Sequence, residues 1–255
     1  NVVCTPHLGA STSEAQENVA IQVAEQMSDY LLDGAVTNAL NMPSITAEEA
    51  VRLTPFVRLA ENLGSFAGQL TETTIRGITI EYAGEVAEMN TRALTSALLA
   101  GLLRPILTEV NMVNAPVVAQ ERGMAVDEVR QSRRGAFETY IRLVVKTERQ
   151  ERSVAGTVFL DGKPRLIQIK GIEMEASFGP HMLYITNQDK PGFIGRLGTL
   201  LGEKGVNIAT FNLGRSAPGE DAIALIEIDG AIDDAVLGEV NGLEGVVQVK
   251  RLTFN

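Results

Sequence analysis

Between residues 182 and 252 the apolar positions change period in an order that few folds accommodate. Residues 182–185 form an apolar strand, and residues 193–204 carry apolar side chains at helical spacing until Gly205 stops them. Residues 206–213 and 222–228 read as two further strands, residues 233–240 as a short helix, and Val246–Leu252 as a closing strand. Two β-α-β halves in this order predict a ferredoxin-like sandwich: a four-stranded antiparallel sheet with both helices on one face. The other sheet face is left free, and in such folds a partner chain often covers it.

The chain ahead of this module predicts a second α+β layer. Residues 47–69 fit a helix. Ile78, Ile80 and Tyr82 alternate with Thr79 and Glu81 as in a half-buried strand. Leu94, Leu98 and Leu102 mark a helix that Pro105 ends. Ile141, Leu143 and Val145 give another strand, and Asp161-Gly162 between two apolar runs gives a hairpin. At the start, Val2-Val3 reads as a strand closed by Pro6. Ser11 with Glu14 reads as a capping box, Val19, Val23, Met27 and Tyr30 as a helical stripe, and Gly34 as its stop.

Charge is unevenly shared along this order. The whole chain has 22 Lys and Arg against 32 Asp and Glu, a net −10. Residues 1–43 hold five acids and no base, residues 44–178 hold 17 acids and 16 bases, and residues 179–255 hold 10 acids and 6 bases. An acidic chain repels phosphate backbones, so no nucleic-acid partner is expected. The closing strand Val246-Val247-Gln248-Val249 also lacks the stacking aromatics of an RNA-binding sheet. The longest apolar run, around residues 98–103, falls far short of the ~20 residues that span a bilayer, so no membrane partner is expected. A single cysteine, Cys4, can build neither an internal disulfide nor an iron–sulfur cluster, which suits a reducing, cytoplasmic setting. The donor inventory contains no metal-ligand cluster.

Three places could carry chemistry. His7 follows the first strand beside Pro6, where a loop histidine can act as general acid or base. Asn187-Gln188-Asp189-Lys190-Pro191-Gly192 joins a strand to a helix. The free N–H groups of residues 192–195 suit a carboxylate, Asp189 suits an ammonium, and Asn207 on the neighbouring strand offers both donor and acceptor. Such a set fits a free amino acid. A basic group in the middle segment, Arg130, Arg133, Arg134, Arg165 and Lys170, is the third candidate. Odd spacing places Arg165 and Lys170 on opposite faces of their strand.

The run Thr5-Pro6-His7-Leu8-Gly9-Ala10-Ser11-Thr12-Ser13-Glu14-Ala15-Gln16 resembles the catalytic-histidine stretch of the D-3-phosphoglycerate dehydrogenases, a family of D-2-hydroxyacid dehydrogenases. Val113-Asn114-Ala115-Pro116, then Glu121-Arg122-Gly123, and the closing Lys190-Pro191-Gly192 with Gly205-Val206-Asn207-Ile208 agree with it. The ending is similar to an ACT domain, the amino-acid-sensing module, and the middle to the intervening domain of the family's long form. The resemblance implies three parts: a strand–helix remnant of the catalytic domains over residues 1–43, an intervening domain over 44–178 and an ACT domain over 179–255. It implies an NAD-dependent parent that oxidises 3-phosphoglycerate to 3-phosphohydroxypyruvate in L-serine synthesis, with His7 moving the proton on the C2 oxygen.

By the same resemblance the Gly-rich dinucleotide loop, the ribose-binding acid, the substrate Arg and the Glu partner of the histidine would lie upstream of Asn1. The chain, which opens without Met, is therefore expected to be the C-terminal half, with no NAD-binding residue of its own and no activity alone. Asn187, Asp189 and Asn207 match the family's L-serine positions. That site sits between two ACT domains and implies a homodimer or homotetramer. Arg165 falls where a related long-form enzyme has a basic residue of an anion site in its intervening domain, and Ser177 falls where that site has a second Arg; Arg133 and Arg134 are further candidates for binding an anion there. A stand-alone amino-acid sensor or a plain oligomerisation module are the competing readings, and neither accounts for the His7 stretch.

Overall fold

The computed structural model describes residues 2–6, 8–41, 44–131 and 137–254. The chain divides into two compact units, Asn1–Thr54 and Pro55–Asn255.

In the first unit, residues 2–6 form no strand, and Val2 and Val3 are almost fully exposed. A strand needs a neighbour to complete its hydrogen bonds, and no strand flanks this segment among the described residues. Helix α1 covers Ser13–Asp33 and stops at Gly34, whose φ of 71° only glycine adopts freely, with its N–H bonded to the Tyr30 carbonyl. The expected start is off by one residue. Thr12 is the cap, its Oγ1 accepting from Ala15 N at 3.1 Å, while Ser11 turns its hydroxyl to the Leu8 carbonyl. The reciprocal capping box lies further on: Thr46 N donates to Glu49 Oε2 at 3.0 Å, and Glu49 N donates to Thr46 Oγ1 at 3.2 Å. It opens helix α2, Ala47–Gln69, which runs from the first unit into the second.

The second unit holds two sheets. The larger has six strands: β1 Ile75–Ala83, β2 Ala125–Gln131, β3 Tyr140–Thr147, β4 Glu151–Val158, β5 Pro164–Ile169 and β6 Ile172–Ala176, in the order β2-β1-β3-β4-β5-β6. Only β1 and β2 run parallel. The crossover between them contains a 3-10 turn, helix α3 (Thr91–Leu103) and helix α4 (Ala115–Glu121). Asn114, in the Val113-Asn114-Ala115-Pro116 run, exchanges bonds with Asn111 and precedes α4, with Pro116 in its first turn.

Helices α2 and α3 approach each other through glycine. A Cβ on Gly64 would sit 2.1 Å from the Leu98 carbonyl oxygen, and one on Gly101 would sit 2.1 Å from that of Glu61. Backbones this close leave no room for any other residue. Their apolar faces cover the sheet: Leu59 and Leu63 lie over Gly156 of β4, and the Tyr82 hydroxyl of β1 meets Thr95 of α3 at 2.8 Å.

Strand β2 was not legible in the sequence. All seven of its residues are exposed, and it bonds on one side only. An edge strand with no buried face carries no alternation. Arg130, expected ahead of a strand, lies inside it and donates to Thr91.

The smaller sheet follows the predicted order. Strands β7 Met182–Gln188, β8 Ile208–Arg215, β9 Asp221–Ile228 and β10 Val246–Leu252 pair as β10-β7-β9-β8, all antiparallel. Helices α5 (Phe193–Glu203) and α6 (Asp234–Asn241) supply Phe193, Leu197, Leu201 and Val240 to one core with Leu183, Ile185, Ala224 and Ile226. The two sheets of this unit meet along a defined seam. Phe66 of α2 packs edge-on against Tyr184 of β7, with ring centroids 5.8 Å apart. The Gln69 side chain exchanges two hydrogen bonds with the Thr253 backbone, and Glu72 pairs with Lys250.

Candidate effector site

The turn after β7 gathers most of the predicted amino-acid receptor. A pocket of about 310 Å³ opens there, lined by Asn187, Asp189, Pro191, Gly192, Leu213 and Arg215 among others. Asn187 is buried, at 2% exposure, because it ends the inward face of β7. Its Nδ2 donates to the Gln188 carbonyl at 2.9 Å, and its Oδ1 is buried with no partner. A buried acceptor without a donor is costly, and a ligand N–H relieves it.

Gly192 takes a φ of 88° to turn the chain into α5, and no side chain caps that helix. The first amides of α5 thus remain open to an anion, on the positive end of the helix dipole.

Asp189 holds an engaged carboxylate. Its Oδ2 accepts from Gly219 N at 3.1 Å and from Arg215 Nη1 at 2.8 Å. The Gly219 N–H first and the Arg215 guanidinium second hold its carboxyl below the usual aspartate range. Sequence reasoning missed Arg215, since nothing in the 187–192 run signals an arginine 26 residues on. Its position follows from pairing: Arg215 of β8 and Asn187 of β7 both stand opposite Ala222 of β9.

Asn207 is not brought to this pocket within one chain. It precedes β8, whose Ile208 pairs with Ile228, and its Nδ2 donates to Asp229 Oδ2 at 2.6 Å. Six residues of β9 separate residue 222 from residue 228, or roughly 20 Å at ~3.3 Å per residue.

The remaining candidates are placed as follows. His7, Arg133 and Arg134 lie outside the described residues. Arg165 already has partners: Asp161 Oδ2 lies 3.2 Å from its Nη2, and its guanidinium stacks over the Phe159 ring at 5.6 Å. Among the described residues no three or more His, Cys, Asp or Glu side chains converge on a metal-sized site, and no helix is long and apolar enough to cross a membrane.

The βαββαβ sheet, with its pocket at the first strand–helix turn, is the fold of a small regulatory module, and residues 181–245 match the ACT domain model. Residues 52–170 match the D-3-phosphoglycerate dehydrogenase intervening domain, and the chain belongs to the D-3-phosphoglycerate dehydrogenase family, matching its C-terminal half. It is 35% identical over 250 residues to the D-3-phosphoglycerate dehydrogenase of Bacillus subtilis, covering 98% of this chain and 48% of that protein. It is 37% identical to the Synechocystis enzyme, over 96% of this chain and 45% of the relative, and 34% identical to that of Methanocaldococcus jannaschii, over 98% and 47%. The chain thus spans about half the length of the curated relatives it matches.

Proposed function

We propose that this chain is the regulatory half of a long-form D-3-phosphoglycerate dehydrogenase, in which the ACT domain senses L-serine. The observation that carries the reading is the unpartnered Asn187 Oδ1 in a pocket that also holds a carboxylate, a guanidinium and open helix amides. Those four groups match the two ends of a free amino acid. The ammonium takes Asn187 Oδ1 and Asp189. The carboxylate takes the α5 amides and Arg215, which swings off Asp189 as the ammonium replaces it. Asn207 of the partner subunit closes the site, because a chain's own Asn207 stands at the far end of β9. The site therefore requires a homodimer, or a tetramer built from such dimers.

The parent would oxidise 3-phosphoglycerate to 3-phosphohydroxypyruvate with NAD in the cytoplasm, as the first committed step of serine synthesis. His7 would serve as the proton carrier. Residues 1–43 would belong with the catalytic domains, residues 44–178 form the intervening domain and residues 179–255 the ACT domain. The exposed apolar side chains of α1 support this division, since a stripe of that kind suits burial against another domain. Alone, the chain would neither bind NAD nor catalyse. Serine bound across two ACT domains would alter the setting of the intervening domains and so reach the catalytic cleft.

Calorimetric titration of L-serine tests the reading. The wild type is expected to bind, and Asp189→Ala to weaken binding by about tenfold or more, the scale of a lost hydrogen bond to a charged group. No heat at millimolar serine would reduce the module to an oligomerisation domain. Equal affinities would move the site elsewhere.

A further inference from the structure

Strands β5 and β6 are joined by two residues, Lys170 and Gly171, with φ of 49° and 81°. Positive φ at both central positions is the type I′ hairpin turn, where glycine or asparagine is at ease in the first position and lysine is strained. The strained lysine holds its ammonium over the Tyr184 ring, 5.9 Å from the centroid. Beside it, along the seam of the two sheets, lies a cavity of about 60 Å³.

The charges around this cavity do not balance. Arg149, Arg152 and Lys170 line it, and the one carboxylate in its wall, Glu72, is paired with Lys250. Arg152 Nη1 donates to the Leu70 carbonyl at 2.6 Å, while its Nε is buried without a partner. Tyr184 is fully buried, and its hydroxyl also has no partner. Burial, and then the Arg152 charge, pull the Lys170 ammonium below the usual lysine range, an effect Asp221 only partly offsets. Two unpartnered donor atoms, Arg152 Nε and the Tyr184 hydroxyl, thus belong to residues that line one cavity with Lys170, and the carboxylate in its wall, Glu72, is already engaged by Lys250.

We propose that this cavity binds a small oxyanion, the phosphate or carboxylate group of a metabolite, through Arg152, Lys170 and the Tyr184 hydroxyl. A guanidinium edge matches two oxygens of such a group, and a phenol can donate to a third. Ordered water could fill the volume, but it would leave the cations uncompensated. Phe66 and Leu70 give the cavity an apolar wall. Tyr184 comes from the four-stranded sheet, and Arg152 and Lys170 from the six-stranded one. An occupant therefore ties the two sheets together at a place separate from both the Asp189 pocket and Arg165.

The test is thermal denaturation of the full chain in inorganic phosphate or in succinate, at ionic strength held constant with sodium chloride. Either anion is expected to raise Tm saturably in the millimolar range, and the one that acts distinguishes phosphate from carboxylate. Lys170→Gly separates turn from site. It relaxes the positive φ, so its Tm without anion is expected to rise, while its anion affinity falls by about tenfold or more. Arg152→Gln is expected to abolish the response and Tyr184→Phe to weaken it. If Arg152→Gln does not fold, the other two variants still decide. No saturable shift with either anion would overturn the proposal, as would wild-type affinity in Lys170→Gly.

Discussion

Helices α1 and α3 both repeat apolar residues at helical spacing, α3 the more densely, and meet opposite fates. Eleven of the thirteen residues of α3 are buried, whereas α1 buries none of its twenty-one and leaves Leu31 and Leu32 at 75% and 80% exposure. Helical period alone therefore does not make a core. In α3 the stripe meets a surface shaped for it: Gly101 lets the α2 backbone touch, Thr95 receives the Tyr82 hydroxyl, and the sheet lies beneath. Helix α1 has good caps at both ends, and caps contribute only ~1 kcal/mol each against the full cost of ordering the chain.

Breaking α3 should therefore be costly and breaking α1 nearly free. Leu98→Ala, at a position with no exposure, is expected to cost about 3–4 kcal/mol in urea denaturation, and Leu31→Ala less than ~0.5 kcal/mol. A comparable loss at both positions would mean that α1 is packed in solution. Gly101→Ala comes next, at about 3 kcal/mol, because the added Cβ meets the rigid Glu61 carbonyl rather than a movable side chain. A change within ~0.5 kcal/mol would show that α2 and α3 can separate without penalty. The smallest effect belongs to the α1 cap. Thr12→Ala should remove about 1 kcal/mol from that helix alone. Hydrogen exchange should then quicken at residues 13–16 and stay unchanged through α3.

Acid offers one more contrast within the ACT domain. The Gly219 N–H and then the Arg215 guanidinium hold the Asp189 carboxyl below the ordinary aspartate range, so its contribution is complete above that range and is lost as pH falls through the lowered folded pKa. Serine affinity is expected to hold from neutral pH down to about pH 4 and to collapse below it. Asp189→Asn should abolish that acid limb, as read by calorimetry across pH.

Much of this architecture is written in short-range pattern. The β-α-β-β-α-β order of the last segment, the Asp161-Gly162 hairpin and the Gly34 stop all depend on neighbours within a few residues, and the sequence states them. Strand β2 and the seam were not legible, because one is an exposed edge and the other depends on tertiary placement. The effector pocket was half legible. Asn187, Asp189 and the open helix start lie within one short run. Arg215 enters only through strand pairing, and Asn207 stands too far away to join them without a second chain. The Arg152, Lys170 and Tyr184 cluster draws on two strands and a hairpin turn and has no local signature at all.

If two chains build each serine site, mixing mutant subunits will reveal it. Asp189→Ala and Asn207→Ala are each expected to weaken serine binding when pure, the first by about tenfold or more. Unfolded together and refolded as a mixture, they should form heterodimers in which one site keeps Asp189 from one chain and Asn207 from the other. In a two-fold dimer about a quarter of all sites should then regain wild-type affinity by calorimetry. Wild-type protein that takes up no serine, or a mixture that recovers nothing although heterodimers form, would rule out a serine site shared between two chains.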